Sequence, residues 1–146
     1  MKLLLQRVSQ ASVSVEGEEI GRIGRGILAL VGIERDDTDE QVSKLTERML
    51  NYRLFADADG KTNLSVRDIG GGVLLVSQFT LAADTRRGLR PGFSLAAAPA
   101  LAERLYERML AQLSAETVVQ IASGRFAADM QVSLINDGPV TFLLEG

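Results

Sequence analysis

Four residues that follow an apolar stretch of the chain have groups suited to chemistry. The stretch, residues 73–76, contains only valine and leucine and predicts a buried strand. Directly after it come Ser77, Gln78, Phe79 and Thr80. Active sites favour such strand ends, because backbone N–H groups there run out of sheet partners. The pattern predicts a site that uses hydroxyl, amide and backbone N–H groups, with a strand end leading into a solvated loop as the alternative.

The chain lacks two residue types on which much enzyme chemistry depends. Among its 146 residues there is no His and no Cys. Their absence excludes Ser-His-Asp and Cys-His catalysis, histidine general bases and nearly all zinc sites. If the chain is an enzyme, it must act through carboxylates, hydroxyls, backbone amides or its own substrate. We therefore expect neither a metal nor a cofactor.

Three arginines form a local basic cluster in a chain of net charge −3. Arg86, Arg87 and Arg90 predict an anion-binding loop, since Lys and Arg provide the attraction for phosphates. The overall negative charge argues against a broad nucleic-acid surface, and the aromatic content of 5% argues against a platform on which bases stack. A solvated loop is the alternative interpretation.

Hydrophobic patterning predicts the elements that position these residues. Alternating or uniformly apolar segments predict strands at residues 3–8, 12–15, 20–23, 26–32, 53–55, 73–76, 117–122, 131–135 and 140–144. A helix is predicted from Thr38, where Gln41 completes a capping box, and a second helix from Pro99. We expect one α/β domain over residues 1–146, layered β/β/α, with a mixed sheet and two main helices. The expected order is two strands, two strand–helix units and three strands.

Two glycine-containing segments are interpreted as turns. Residues 21–26 contain three glycines, but their order does not match the dinucleotide-binding motif and strands flank them, so we predict a hairpin turn. Residues 136–139, Asn-Asp-Gly-Pro, separate the last two predicted strands and by themselves also indicate a hairpin turn. That pattern gives no reason to expect a cis peptide bond before Pro139.

The sequence contains no recognisable targeting or membrane-spanning segment. The leucines near the start are followed at once by Gln6 and Arg7, which is too short for the apolar region of a signal peptide. No apolar run approaches the ~20 residues that a membrane span needs. We expect a cytoplasmic protein with no membrane partner.

The segments described above resemble the paired signatures of a known family. Residues 77–81, Ser-Gln-Phe-Thr-Leu, and residues 136–141, Asn-Asp-Gly-Pro-Val-Thr, look like the two signature motifs of D-aminoacyl-tRNA deacylases. Further segments that resemble this family are residues 6–8, 11–13, 52–53, 82–85, 90–91 and 124–132. The resemblance covers essentially the whole chain, in order and at family length.

This resemblance implies an activity and an assembly. It implies hydrolysis of the ester that joins a D-amino acid to the terminal adenosine of tRNA, rejection of L-aminoacyl-tRNA, and cleavage of glycine carried on tRNA. It implies tRNA, and not DNA, as the nucleic-acid partner. It also implies a homodimer with active sites at the subunit interface, where a cis Gly138–Pro139 pair enters the partner's pocket.

The resemblance further implies roles for individual residues. The catalytic set is Ser77, Gln78, Phe79 and Thr80, and the chiral gate is Gly138 and Pro139. Supporting residues are Arg7, Asn136 and Thr141, with the Arg7 guanidinium expected to hold the carbonyls of the gate. Acceptor-stem phosphates would be met by Arg86, Arg87 and Arg90. The adenosine pocket would be lined by Phe126 and Met130, for which core packing is the alternative.

The hydrolytic step is left open between two mechanisms. Thr80 is a poor nucleophile because no His is present to act as its base. In the alternative, backbone N–H groups near Phe79 and Thr80 stabilise the oxyanion, and the 2′-hydroxyl of the terminal ribose helps to activate water. For chirality, a braced pair of carbonyls at Gly138 and Pro139 would collide with an L side chain but not with a D side chain or glycine.

Two other classes of function stay open at this point. One is a small-ester or amide hydrolase that uses paired carboxylates, such as Asp84 and Asp129. The other is a non-catalytic module that binds the end of tRNA.

Overall fold

In the computed structural model, which describes residues 1–146, the chain begins with one long β-hairpin. Its strands are β1 (Lys2–Val15), β2 (Glu18–Ile23) and β3 (Gly26–Gly32). β3 pairs antiparallel with residues 2–8 of β1, and β2 pairs antiparallel with residues 11–15. Both lie along the same edge of β1, so the predicted hairpin turn at residues 21–26 is wrong. The chain does not reverse there, because Gly24 and Arg25 only interrupt one arm of the hairpin.

The remaining helices and strands follow in chain order. They are α1 (Asp39–Asn51), β4 (Phe55–Ala56), β5 (Thr62–Leu64), α2 (Val66–Ile69), β6 (Gly72–Ser77), a 3-10 turn (Phe79–Ala82), α3 (Pro99–Ser114), β7 (Gln120–Ser123) and β8 (Gln131–Glu145). Both main helices begin where the sequence predicts, and the Thr38 hydroxyl accepts the N–H of Gln41 as the capping box requires. The short helix α2 and the strand β5 are additional, and the strand predicted at residues 53–55 lies one to two residues later, as β4. No helix combines the length and apolar character that crossing a bilayer would need.

The main sheet is mixed and folds over on itself. β6 pairs parallel with β3, β7 pairs parallel with β6, and β8 pairs antiparallel with the other edge of β1. Gly21 of β2 lies so close to β7 that a Cβ atom there would stand 2.9 Å from the carbonyl oxygen of Ser123. The far end of the hairpin therefore covers β6 and β7, and two β layers form. The prediction of a layered α/β domain with a mixed sheet is confirmed.

Two apolar clusters fill the spaces between these layers. The larger cluster lies between the sheet and the helices α1 and α3, and the smaller one lies between the two β layers. β1 contributes to both, since Leu3 and Leu5 belong to the first while Val8 and Val13 belong to the second. The position along β1 where its buried side chains pass from the first cluster to the second coincides with register shifts between β1 and β8 on both sides of Val8. This places Arg7 on the same face of β1 as Leu3 and Leu5.

The last part of the chain differs from the prediction. In place of two strands joined by a hairpin turn, β8 is one strand of 15 residues that pairs with β1 over nearly its whole length. Gln6 pairs with Thr141 and Val8 pairs with Asn136, so β8 contains more residues than β1 between these two pairs. Because β1 is long enough to pair with both halves of β8, the chain does not reverse direction between those halves. The surplus residues form a bulged loop.

Candidate active site

The segment that follows β6 presents two free backbone donors. The Gln78 N–H donates to the Val31 carbonyl (2.7 Å), and the Leu81 N–H donates to the Gln78 carbonyl (3.1 Å). Between them, the N–H groups of Phe79 and Thr80 begin the 3-10 turn and have no main-chain acceptor. These are the two donors that the sequence suggested for an oxyanion.

A largely apolar cavity of about 490 Å³ lies beside this segment. Five of the predicted site residues line it, namely Ser77, Gln78, Phe79, Phe126 and Met130. The remaining lining residues come mainly from β3, the start of α3 and the β7–β8 loop. A cavity of this size, with few polar groups on an apolar wall, is typical of a small-molecule site. The structure therefore brings the catalytic segment together with both residues suggested for the adenosine pocket.

Thr80 belongs to this segment but does not line the cavity. Its side chain is exposed, and its hydroxyl oxygen accepts a hydrogen bond from the amide nitrogen of Gln78. An amide is not a base, so this contact orients the hydroxyl without activating it.

A buried tyrosine that the sequence did not single out supports the cavity wall. The ring of Tyr106 lies 5.8 Å from that of Phe126 between centroids, and its hydroxyl donates to the Leu75 carbonyl (3.2 Å). Burial raises the pKa of Tyr106 to about 12, so its phenol stays neutral at physiological pH. Tyr106 therefore acts as a support for Phe126 and not as a base.

The second motif forms the bulged loop of β8, and the Asn136 side chain closes its base. The Asn136 amide oxygen accepts the Val140 N–H (2.8 Å), and its amide nitrogen donates to the Thr141 hydroxyl (2.9 Å). Gly138 has a φ of +143°, and a Cβ atom there would stand 2.8 Å from the Val140 nitrogen, so only glycine suits the position. The Gly138–Pro139 peptide bond is cis, and both residues are exposed.

Arg7 anchors this loop, but through acceptors other than those expected. Its Nε donates to the Asp137 carbonyl (2.9 Å) and its Nη1 donates to the Leu54 carbonyl (2.8 Å). The expectation that the guanidinium holds the carbonyls of Gly138 and Pro139 is therefore wrong. Because the guanidinium meets the chain one residue earlier, those two carbonyls stay available to another group.

The two motifs lie apart within one chain. Ser77 is level with Val31 of β3, which is level with Leu3 of β1, whereas the bulged loop lies opposite Arg7. Ser77 and the bulged loop therefore lie roughly 13 Å apart along the strands and roughly 14 Å apart across them. No residue of the segment 136–141 lines the cavity. One chain alone therefore does not bring the Gly-Pro loop to the catalytic segment.

The arginine loop is closed by backbone bonds at its base. Asp84 and Gly92 exchange two main-chain hydrogen bonds of 2.7 and 3.1 Å. The Arg86 guanidinium forms a two-point ion pair with Asp84, through Nε (2.8 Å) and Nη2 (2.7 Å), and holds the pKa of that carboxyl well below its usual range. Arg87 and Arg90 are exposed, have no ion-pair partner and line a polar cleft of about 470 Å³.

The paired carboxylates suggested for an alternative hydrolase do not line a common cavity. Asp84 lines the arginine cleft and is neutralised by Arg86, while Asp129 is exposed and lines neither the cleft nor the cavity. A general acid needs a carboxyl that can hold a proton near neutral pH, and the lowered pKa of Asp84 prevents this. No group of three or more acidic side chains comes together in a way that could hold a metal ion.

Phe93 is a residue of this region that the sequence interpretation missed. Its ring lies 5.1 Å from that of Phe79 between centroids, and it follows the arginine loop directly. The aromatic content argued against any stacking surface, but two of the few aromatic residues meet at this place. An aromatic residue just after an arginine cluster was the available signal.

Comparison with known proteins gives consistent results. The family model described as D-Tyr-tRNA(Tyr) deacylase matches residues 4–145. Proteins named D-aminoacyl-tRNA deacylase from Azotobacter vinelandii and Citrobacter koseri are 61% and 59% identical over 145 residues, covering 99% of this chain and 99% of each relative. One from Pseudomonas savastanoi pv. phaseolicola is 62% identical over 146 residues, with the same coverage.

Solved structures agree in fold. The structure titled "c-Myc DNA Unwinding Element Binding Protein" superposes with a TM-score of 0.95 at 44% identity and covers 100% of this chain and 99% of its own. A structure titled as a probable eukaryotic D-amino acid tRNA deacylase has a TM-score of 0.83 at 18% identity, covering 98% of this chain and 97% of its own. At that identity the second likeness concerns the fold alone.

Proposed function

The chain belongs to the D-Tyr-tRNA(Tyr) deacylase family, and from this premise we propose how its residues carry out the reaction. It is a D-aminoacyl-tRNA deacylase, which hydrolyses the ester between a D-amino acid and tRNA and releases both. The observation that carries our proposal is the apolar cavity beside Ser77, Gln78 and Phe79 with two free backbone N–H groups at its edge. It acts in the cytoplasm, where aminoacyl-tRNA is used.

We assign the cavity to the terminal adenosine of tRNA. Phe126 and Met130 offer an aromatic ring and a polarisable thioether to the base, and Tyr106 holds the phenylalanine ring in position. The ester carbonyl then lies at the N–H groups of Phe79 and Thr80, which stabilise the negative charge that develops on its oxygen. The ribose 2′-hydroxyl assists the attacking water, because the chain offers no histidine or cysteine for this step.

We propose that a second copy of the chain completes the site. The Gly-Pro loop lies far from the cavity of its own chain, yet it is exposed and braced by Arg7 and Asn136. It belongs to an edge strand that exposes several apolar side chains, including Ile135 (53% exposed) and Leu143 (50% exposed). An exposed apolar edge strand of this length is a surface for pairing. In the homodimer, the loop of one chain enters the cavity of its partner.

In this arrangement the carbonyls of Gly138 and Pro139 read chirality. Arg7 leaves both carbonyls free while it holds the preceding residue, so they form a fixed wall beside the substrate Cα. The side chain of an L-amino acid would meet this wall, whereas a D side chain would point away from it. Glycine has no side chain to exclude, so glycine carried on tRNA is also cleaved.

The activity is tested by comparing D-tyrosyl-tRNA with L-tyrosyl-tRNA in the presence of EDTA. We expect release of D-tyrosine while the L ester stays intact, because only the L side chain meets the Gly-Pro wall. Release of labelled amino acid gives the rate, and substrate without protein gives the spontaneous background. Equal release of both enantiomers, or binding of tRNA without release, would contradict the proposal. Loss of activity with EDTA would show that a metal takes part.

The shared active site predicts recovery of activity when two inactive variants are mixed. Ala128→Trp fills the cavity, and Arg7→Ala frees the Gly-Pro loop. A mixed dimer has one site with both defects and one intact site, so an equal mixture after subunit exchange should regain about a quarter of wild-type activity. Native mass spectrometry of isotope-labelled copies verifies the exchange, and each variant mixed with itself is the control. Absence of recovery in verified mixed dimers would mean that each site lies within one chain.

A further inference from the structure

Two exposed phenylalanine rings separate the apolar cavity from the arginine cleft. Phe79 is 61% exposed and lines the cavity, while Phe93 is 40% exposed and lies between Gly92 and Ser94, which line the cleft. The two rings are tilted by 41° with their centroids 5.1 Å apart. Neighbouring exposed aromatic rings form an apolar patch, and such patches are candidate contact surfaces for another molecule.

The backbone that carries Phe93 is fixed on both sides. Gly92 on one side exchanges two main-chain hydrogen bonds with Asp84. On the other side, the carbonyl of Ser94 accepts Nη1 of Arg35 (3.3 Å), and the carbonyl of Leu95 accepts the N–H of Arg35 (2.9 Å). The backbone at Phe93 is therefore fixed before any ligand arrives and its ring contacts that of Phe79, which lowers the entropy lost on binding.

The charges around the pair select an anionic partner. Arg86 is occupied by Asp84, whereas Arg87 and Arg90 carry free positive charge on the same loop, which ends at Gly92. Arginines track a phosphate backbone while neighbouring aromatic rings stack on its bases, and this combination binds single-stranded nucleic acid. An apolar protein segment would suit the two rings but would leave the arginines without partners.

We propose that Phe79, Phe93, Arg87 and Arg90 form a site for the unpaired nucleotides that precede the terminal adenosine of tRNA. The inference rests on the proposed function, since it takes the adjoining cavity as the site of that adenosine. A base stacks on the Phe93 ring, and the phosphates next to it meet Arg87 and Arg90. The site holds the tRNA end in register with the cavity, so it contributes to binding of tRNA more than to the chemical step.

The test compares two substrates that share the ester but differ in RNA length. These are D-tyrosyl-tRNA and the D-tyrosyl ester of adenosine alone. For Phe93→Ala we expect the ratio of kcat/KM on tRNA to kcat/KM on the adenosine ester to fall about tenfold, mostly through KM, as loss of one stacking ring predicts. Phe93→Trp should restore the ratio. Val118→Ala, at an apolar residue that is 58% exposed elsewhere on the surface, is the matched control and should leave the ratio unchanged.

A second readout tests the arginines. In the double variant Arg87→Gln, Arg90→Gln, the slope of log kcat/KM on tRNA against log salt concentration should become shallower by roughly 1.4, because two single-strand phosphate contacts are lost. Arg22→Gln, which removes an exposed arginine paired with Glu19, serves as the control for a general change in charge. An unchanged slope would overturn the phosphate contacts.

The outcomes separate this site from the proposed function. An equal loss on both substrates would mean that Phe93 acts only by supporting Phe79 in the cavity, and no loss would mean that the rings do not bind RNA. A change of oligomeric state with an unchanged ratio would identify the pair as a subunit contact. If the wild-type protein cleaves neither D ester, the proposed function fails. In that case, binding of a fluorescent trinucleotide that has the tRNA 3′ sequence but carries no amino acid decides whether the site exists. Its affinity is compared between wild type and Phe93→Ala.

Discussion

A D-aminoacyl-tRNA that ends in 2′-deoxyadenosine should be hydrolysed about 10²- to 10³-fold more slowly than the same substrate with ribose, whereas Thr80→Ala should lose less than about tenfold. The reason lies in the groups that surround the ester. The chain has no histidine or cysteine, and Thr80 is exposed with only an amide beside its hydroxyl. Its activation would need a base that this segment lacks.

The three lysines do not supply that base. Lys44 forms an ion pair of 2.6 Å with Glu40, and the amine of Lys2 lies 4.0 Å from the carboxylate of Glu34. Lys61 lies between the short strands β4 and β5, and none of the three lines the cavity. We therefore expect the substrate hydroxyl, and not a lysine, to help the attacking water.

Single-turnover rates at saturating enzyme are the measurement, because they separate the chemical step from any change in binding caused by the missing 2′-hydroxyl. Thr80→Ser is the matched variant, since it keeps the hydroxyl and should behave as the wild type. A loss of more than 10²-fold in Thr80→Ala, together with normal cleavage of the deoxy substrate, would instead identify Thr80 as a covalent nucleophile.

Arg7→Ala should lower kcat/KM on D-tyrosyl-tRNA by about 10²-fold, equivalent to ~2.7 kcal/mol. The side chain joins the Asp137 carbonyl to the Leu54 carbonyl, so its removal frees the loop that carries the proposed chiral gate. Hydrogen bonds from a charged donor contribute ~1.5–3 kcal/mol each, and misplacement of a positioning loop by about 1 Å can cost that much in rate. We also expect the selectivity against L-tyrosyl-tRNA to decrease, because the wall is no longer fixed.

Arg53→Ala is the matched control for this change. Arg53 precedes Leu54, is exposed and donates one side-chain hydrogen bond to Asn63 (3.0 Å), and no hydrogen bond joins it to the loop. Thermal unfolding of both variants distinguishes a displaced loop from a general loss of folding. The loop does not depend on this anchor if kcat/KM of Arg7→Ala is reduced no more than that of Arg53→Ala. The same conclusion follows if Arg7→Ala loses activity only in proportion to its unfolded fraction.

Features that depend on near neighbours were predicted from the sequence correctly. The capping box at Thr38 and Gln41 begins α1, and the apolar runs at residues 26–32 and 73–76 form the buried strands β3 and β6. Each signal involves only residues within a few positions of one another. The position of residues 77–80 at the end of β6 was predicted in the same way, because a buried strand ends where its apolar run ends, while their catalytic role stays a prediction.

Features that depend on distant partners were not predicted. Residues 21–26 and 136–139 were both interpreted as hairpin turns, because glycine between two apolar segments usually marks one. Instead, the long strand β1 pairs with the chain both before and after each segment. Each segment is therefore a local irregularity in pairing, and the chain does not reverse there. No residue inside either segment carries information about the length of β1.

By itself, the sequence determined which chemistry is possible. Without histidine and cysteine, the possible groups are carboxylates, hydroxyls, backbone amides and the substrate itself, and the sequence as a whole identifies the family. Only the tertiary structure decided how these parts are arranged. It separated the Gly-Pro loop from the cavity, placed the Arg7 guanidinium on the carbonyls of Asp137 and Leu54, and brought the tilted rings of Phe93 and Phe79 into contact. The physical reason is that backbone carbonyls carry no signature in a sequence, and contacts between distant residues follow from strand register.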